Sequence, residues 1–311
     1  TGYRSLVRMG QDIETLYDNW RKDQDDVRGL DKLFIIGCAK SGTTWLADLL
    51  NAHDEIVVRG EGCFAWQLVP ILSQAFRVFN EHQKSLDPIT HLGDGELLLA
   101  ARTLIDSQLA RYVRESKRDR SKVRVVGDKT PQHTVGMGPL NQLYPRSKFI
   151  HILRDPRDTA TSAWFHFGKT DGRSFEEYIE FYITRAWPLN VTSARQSGQA
   201  IGPSRYREVR YEDLKAQPTE LFEGLLKFIS VSTDGEMVRK CVNAASFDKK
   251  SGGRQPGQKD NSSFYRSGTC GDWRNHLPVE LAGRCCQAIA PLMTACGYDP
   301  ACEPALATSS H

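Results

Sequence analysis

The stretch Leu33-Phe-Ile-Ile-Gly37-Cys-Ala-Lys40-Ser41-Gly42-Thr43-Thr44-Trp45 constrains this chain more than any other. An apolar run that ends in a glycine and turns directly into a helix-forming segment reads as a strand, a phosphate-cradling loop and a helix. Gly37 and Gly42 have the spacing of the two glycines in the nucleotide-triphosphate loop G-x-x-x-x-G-K-[ST], but Thr43 takes the place of the lysine and Lys40 lies earlier. Backbone N–H groups from Lys40 to Thr44 open from a helix N-terminus, where unpaired donors and the helix dipole favour an anion. A phosphate is the expected ligand, with Lys40 beside a transferring group.

The rest of the chain alternates apolar runs with helical periodicity, which predicts an α/β fold with a central parallel sheet flanked by helices. Strands are predicted at 33–37, 56–59, 123–126, 148–153 and 207–211. Helices are predicted at 43–51, 96–117, 156–167, 175–194, 219–229 and 278–296. With 311 residues, 40% of them hydrophobic and 25% charged, the chain is expected to form one domain over residues 1–311. Within it, residues 1–30 form an N-terminal helical extension. The Gly/Pro/polar stretch from Lys249 to Gly268 is expected to be a mobile loop that covers a nucleotide.

A net charge of +3 provides no global field toward nucleic acid or membrane. No apolar run approaches the roughly 20 residues of a membrane span, and the acidic and basic N-terminus lacks the apolar core of a secretory signal. Cytoplasmic residence is the expectation, or a Golgi lumen if an N-terminal anchor has been trimmed. Cys285 and Cys286 are adjacent and the eight cysteines include no Cys-x-x-Cys pair, so no zinc site is expected. Asn190 and Asn261 begin glycosylation sequons, which recur by chance.

Two further blocks join the first. One is Phe149-Ile-His-Ile-Leu-Arg154-Asp-Pro-Arg-Asp-Thr-Ala-Thr-Ser162; the other is Tyr265-Arg266-Ser267-Gly268-Thr-Cys-Gly-Asp-Trp273. Arg154 ends a strand, where α/β sheets bind ligands, and Ser162 lies just over two helical turns beyond it. Together with the displaced lysine, these blocks make the chain resemble the sulfotransferase family that uses 3′-phosphoadenosine 5′-phosphosulfate (PAPS), over most of its length. The resemblance implies that Arg154, Ser162, Arg266 and the Gly268 backbone bind the 3′-phosphate, flanked by Tyr265 and Ser267. It implies that Ser41, Gly42, Thr43 and Thr44 hold the 5′-phosphate, and that Trp45, Phe247 and Tyr211 meet the adenine.

Sulfuryl transfer resembles phosphoryl transfer, with charge growing on the leaving oxygen, so Lys40 is placed to meet that charge. A sulfuryl group carries less negative charge than a γ-phosphoryl group, and turnover without a metal is expected. Two general bases stay open. Glu61 in Val57-Val-Arg-Gly-Glu61 is similar to the glutamate of the tyrosylprotein and heparan-type branches and is the first choice. It would need partial burial by Phe64, Ala65 and Trp66 to raise a carboxyl pKa of about 4.3. His133 in Lys129-Thr-Pro-Gln-His133 is similar to the small-molecule branch's histidine and is the second choice. Lys129 is expected to support the sulfuryl group, whereas His53, His91, His151 and His166 read as structural.

The acceptor is a small molecule or a glycan, with an alcohol favoured over an amine, and Phe64, Trp66, Leu68, Leu72 and Phe76 are expected to line its pocket. An NTP-dependent small-molecule kinase and a non-catalytic nucleotide-binding module are the alternatives. Oligomeric state is left open.

Overall fold

The computed structural model describes residues 12–260, 263 and 265–302. Five parallel strands form one sheet in the order β2-β3-β1-β4-β5. They are β1 (Asp31–Gly37), β2 (Ile56–Arg59), β3 (Val125–Lys129), β4 (Lys148–Leu153) and β5 (Tyr206–Arg210). Parallel neighbours need crossovers, and helices supply them on both faces. The flanking helices include α1 (Ile13–Arg28), α2 (Thr43–Asn51), α3 (Val69–His82), α4 (Asp94–Glu115), α5 (Met137–Leu143) and α6 (Pro156–Ala163).

β1 is the central strand, and its alternation divides the core. Leu33 and Ile35 face α2 and the helix Pro218–Ile229, while Phe34 and Ile36 face α4. A third apolar cluster, around Trp187 and Trp273, supports the segment following β4. α1 packs on α4, with Gln24 Nε2 donating to the Thr103 carbonyl and Asp23 paired to Arg114 at 2.7 Å. The predicted N-terminal helical extension therefore corresponds to α1, and residues 1–11 lie outside the described residues.

The boundaries differ from expectation where polar residues or prolines intervene. β3 begins at Val125 and continues through Gly127, Asp128 and Lys129, all buried, beyond its predicted end at Val126. At Gly127 an added Cβ would lie 2.1 Å from the Leu33 carbonyl oxygen, so only glycine lets β3 lie this close to β1. The predicted helix 156–167 is α6 followed by a π-turn over Trp164–Gly168. The span 175–194 is interrupted by a second π-turn over Tyr182–Ala186 before the helix Trp187–Ile201, which carries Pro188 in its first turn. The predicted 278–296 helix divides at Ile289, ahead of Pro291, which has no N–H to continue the first segment's ladder.

Of the predicted loop 249–268, Lys249 and Lys250 end a short helix, Phe247–Lys250, and the described residues from Ser251 onward are irregular and gathered around Arg254. That guanidinium donates to the carbonyls of Gln258, Arg266 and Tyr265 and to Ser263 Oγ. Asn261 lies outside the described residues. No helix among the described residues is long and apolar enough to cross a membrane.

Candidate active site

The strand order reverses around β1, where the C-terminal ends of β1 and β4 open a crevice, the usual ligand position in an open parallel sheet. A cavity of about 240 Å³ occupies it. Its floor is the β1–α2 loop. Lys40 has φ 69° and Gly42 φ 104°, two left-handed positions that fold the chain tightly ahead of α2. At Gly42 a side chain would also meet the Tyr211 ring at 2.6 Å. The Leu46 N–H reaches back to the Gly42 carbonyl at 3.0 Å to begin the helix, so the amides ahead of it are at the loop end of α2.

Nine of the sequence-predicted residues border the cavity: Lys40, Gly42, Thr43, Thr44, Trp45, Glu61, Arg154, Ser162 and Tyr265. Lys40 is pushed down to about 8, chiefly by burial, then by the cations Arg154, Lys129 and Arg266, with Glu61 opposing them. Arg154 donates to the Lys40 carbonyl at 3.2 Å and to the Thr269 carbonyl at 3.3 Å. Its guanidinium lies over the Tyr211 ring, 4.5 Å from the centroid. The neighbouring acids are shared with other groups, Asp158 also pairing with Arg154. Asp155 pairs with Arg157 at 2.7 Å, and Asp158 accepts from the Gly271 and Trp273 amides, leaving Arg154 at 4.0 Å from it.

The other predicted donor-site residues form the surroundings. Ser41 is buried with its Oγ turned toward Gly37. Trp45 Nε1 donates to the Ala245 carbonyl at 2.9 Å, and its ring meets Tyr211 edge-on. Gly268, at φ 64°, lies against the Phe247 ring, where a Cβ would come within 2.3 Å. Tyr265 donates to Asp48, Arg266 pairs with Asp272, and Ser267 bonds Thr269 at 3.0 Å.

Buried polar atoms without partners among the described residues include Arg154 Nε and Arg266 Nε. A buried guanidinium N–H seeks an acceptor, and phosphate oxygens match its geometry. These atoms, the cation cluster and the left-handed loop fit a nucleotide bearing several phosphate groups.

On the opposite side, Glu61 Oε1 accepts from Lys129 Nζ at 2.6 Å. The Glu61 side chain is 43% exposed and the Lys129 side chain 10%, so the pair joins a solvent-facing carboxylate to a buried ammonium. The expected burial of Glu61 is not what the fold provides: Phe64 turns into the core and Trp66 outward, and the carboxylate's partner is a lysine. His133 is fully buried, 3.0 Å from Asp128 Oδ1, and does not border the cavity.

None of the five predicted acceptor-pocket side chains borders the cavity, whose apolar wall includes Trp45, Pro131 and Phe167. Phe167 and His166 lie on the π-turn after α6, a local geometry that often accompanies functional sites. Burial and the Lys40 charge lower the His166 pKa. Sequence reasoning assigned His166 a structural role as a lone histidine, and the apolar pattern through 167 gave no sign of the π-turn that carries it to the cavity. It passed over Asp128 as well: the strand was predicted to end at Val126, two residues short of it.

A sequence profile of the Sulfotransferase family matches residues 32–235, more than half of the chain. The chain belongs to the sulfotransferase family. Among curated relatives, this chain is 24% identical to a Protein-tyrosine sulfotransferase of Drosophila melanogaster over 285 residues, 89% of this chain and 53% of that protein. It is 26% identical to Cytosolic sulfotransferase 17 of Arabidopsis thaliana over 161 residues, 44% of this chain and 46% of the other. The chain spans about half the length of these curated relatives.

Two solved structures share the fold. Mouse sulfotransferase SULT7A1 complexed with PAP matches with a TM-score of 0.54 and 17% identity, covering 85% of this chain and 84% of that one. The sulfotransferase domain of the Synechococcus PCC 7002 olefin synthase matches at 0.52 and 20% identity, covering 87% and 96%. The predicted α/β class and family resemblance agree with these findings.

Proposed function

We propose that this chain moves a sulfuryl group from 3′-phosphoadenosine 5′-phosphosulfate to an acceptor hydroxyl. The observation that carries the reading is the meeting of Lys40, Arg154 and Glu61 on one cavity at the β1–α2 loop, with Arg154 donating to the Lys40 carbonyl. Cations held this close gain most from a multiply charged anion. The mouse sulfotransferase of the same fold is complexed with PAP, which supports the same donor class.

The donor supplies an activated sulfuryl group on a phosphate leaving group. Lys40 stabilises charge developing on the leaving oxygen, with the amides of Thr43 and Thr44 at the adjacent phosphate. Arg154, Ser162 and Arg266 hold the 3′-phosphate, joined by Ser41, Tyr265, Ser267 and Gly268 in framing the donor. Trp45, Tyr211 and Phe247 frame the adenine. Glu61 takes the acceptor proton: Lys129 engages its Oε1, leaving the second carboxylate oxygen for the hydroxyl. His133, directed at Asp128 inside the fold, is the weaker base candidate. This scheme assigns no role to a metal.

The acceptor is an alcohol or phenol on a small molecule, protein or glycan. The protein-tyrosine sulfotransferase among the relatives supports a protein acceptor; the cytosolic sulfotransferase supports a cytoplasmic location, with a Golgi lumen as the alternative reading. Nothing in the family match favours the kinase alternative.

Calorimetric titration of metal-free protein with 3′,5′-adenosine bisphosphate, 5′-AMP and ATP tests the donor reading. Preference for the bisphosphate by about 10-fold or more is expected from one extra charge-assisted phosphate site. Equal or tighter binding of ATP with Mg²⁺ would overturn it.

A further inference from the structure

The Glu61–Lys129 pair is braced by a side chain that never reaches the cavity. Asp128 immediately precedes Lys129 on β3, so the two side chains leave opposite faces of the sheet. Lys129 meets Glu61, while Asp128 enters the layer beneath α4 and is fully buried. A buried carboxylate is costly unless donors surround it. Here Oδ1 accepts from Thr130 Oγ1 at 2.6 Å and lies 3.0 Å from His133 Nε2; Oδ2 accepts from the Gly62 N–H at 2.8 Å and the Tyr112 hydroxyl at 3.2 Å.

Two of these contacts lead to the segment that carries Glu61. The Gly62 amide binds Asp128 directly, and the next amide, Cys63, donates to Thr130 Oγ1 at 3.2 Å. The glycines on either side of Glu61 allow the segment to lie on the strand end. An added Cβ at Gly60 would come 2.4 Å from the Lys129 carbonyl oxygen, and one at Gly62 would come 2.9 Å from Asp128 Oδ2. His133 completes the arrangement, stacked on Phe64 and edge-on to Phe34, with Nε2 directed at the carboxylate.

We propose that Asp128 is a positioning residue for the proton-accepting step: its carboxylate fixes residues 60–63 on the end of β3 and thereby sets where Glu61 stands relative to Lys129 and the acceptor. Tyr112, Thr130 and His133 share this role by holding Asp128. The inference rests on the reading of Glu61 as the base, and it assigns the buried histidine to the scaffold of that base.

The test combines hydrogen exchange over residues 59–65 with sulfate release from PAPS, water serving as the acceptor, in the wild type, Asp128→Asn, Glu61→Gln and the double variant. Asp128→Asn is expected to speed exchange at Gly62 and Cys63 by about 10-fold and to slow sulfate release by about 30-fold, as loss of charge-assisted hydrogen bonds would. Affinity for adenosine bisphosphate should change less than about 2-fold, because the donor contacts lie elsewhere. In the Glu61→Gln background, Asp128→Asn should slow release by no more than about 2-fold further, since both act through one group.

Equal losses in both backgrounds, or unchanged exchange at Gly62 and Cys63, would overturn the proposal. Wild-type turnover in Glu61→Gln would instead overturn the base reading, with the exchange result still reporting whether Asp128 holds the loop. If Asp128→Asn does not fold, Tyr112→Phe removes a single donor. It should quicken the same exchange by about 3-fold and slow release by a similar factor, and no change in either would count against the proposal.

Discussion

The two sides of the cavity satisfy their polar groups in opposite ways. Around the β1–α2 loop, Lys40 is pulled down to about 8 by burial and neighbouring cations, while Arg154 and Arg266 each keep a buried Nε without a partner among the described residues. Around β3, one buried carboxylate accepts from an amide and two hydroxyls and meets an imidazole, and the lysine beside it meets Glu61. The first side concentrates positive charge, whereas on the second both oxygens of the Asp128 carboxylate already have donors, although His133 Nδ1, like the two arginine Nε atoms, has no partner among the described residues. A transfer enzyme benefits from both, because the donor brings its own charge and the base must be oriented before the acceptor enters.

Removing the central cation should break this contrast most strongly. Lys40→Ala is expected to lower kcat by about 10³-fold, the scale for losing a preorganised transition-state charge, with a smaller change in bisphosphate affinity. Single-turnover kinetics set beside calorimetry would check it. A loss confined to affinity would move Lys40 from chemistry to binding.

Arg154→Ala addresses the unpartnered guanidinium. Adenosine bisphosphate binding should weaken by about 30-fold and 5′-AMP binding by only a few-fold, the difference belonging to charge-assisted bonds to the 3′-phosphate. Equal weakening of both ligands in calorimetry would place Arg154 at the 5′ end or in the fold.

Protonation sharpens the comparison further. In the free protein Lys40 loses its proton near pH 8, below its ordinary value, and a bound anion favours the charged form. Bisphosphate binding at pH 9 should therefore take up about one proton, and at pH 6.5 almost none, because Lys40 is already charged there. Calorimetry in buffers of different ionisation enthalpy reads the number. Uptake that is absent at pH 9 would remove Lys40 from the anion site.

The smallest effect is expected at the frame. Trp45→Phe deletes the indole donor to the Ala245 carbonyl and should cost about 1 kcal/mol of stability by denaturant unfolding, leaving turnover nearly intact. Phenylalanine keeps an aromatic face toward the adenine, so a large loss of donor affinity would show that the indole itself, not any aromatic ring, is needed there.

The donor side was legible in the sequence because its signals are local. The displaced Lys40, the paired glycines and the Arg154–Ser162 spacing each lie within a single strand-to-helix passage, where chain direction alone brings them to the crevice. Eight of the predicted donor-side residues meet there, with Glu61 as the ninth residue on the cavity. The base side was only half legible. Glu61 and Lys129 were named, but nothing linear ties residue 61 to 128, or 112 to either. Likewise, the π-turn that brings His166 to the cavity leaves the apolar pattern after Ser162 almost unchanged.

The sequence by itself determined the parallel α/β class, the family and the glycine-bounded loop between β1 and α2, since alternation, glycine spacing and terminal charge are properties of short segments. Tertiary structure alone decided which cations crowd Lys40, that Glu61 stands exposed against Lys129, and that His133 turns inward to Asp128. The physical reason is that burial and pairing depend on which strands are neighbours. β2 and β3 lie far apart along the chain, and only their parallel pairing, Arg59 opposite Asp128, places the Glu61 loop on the carboxylate that holds it.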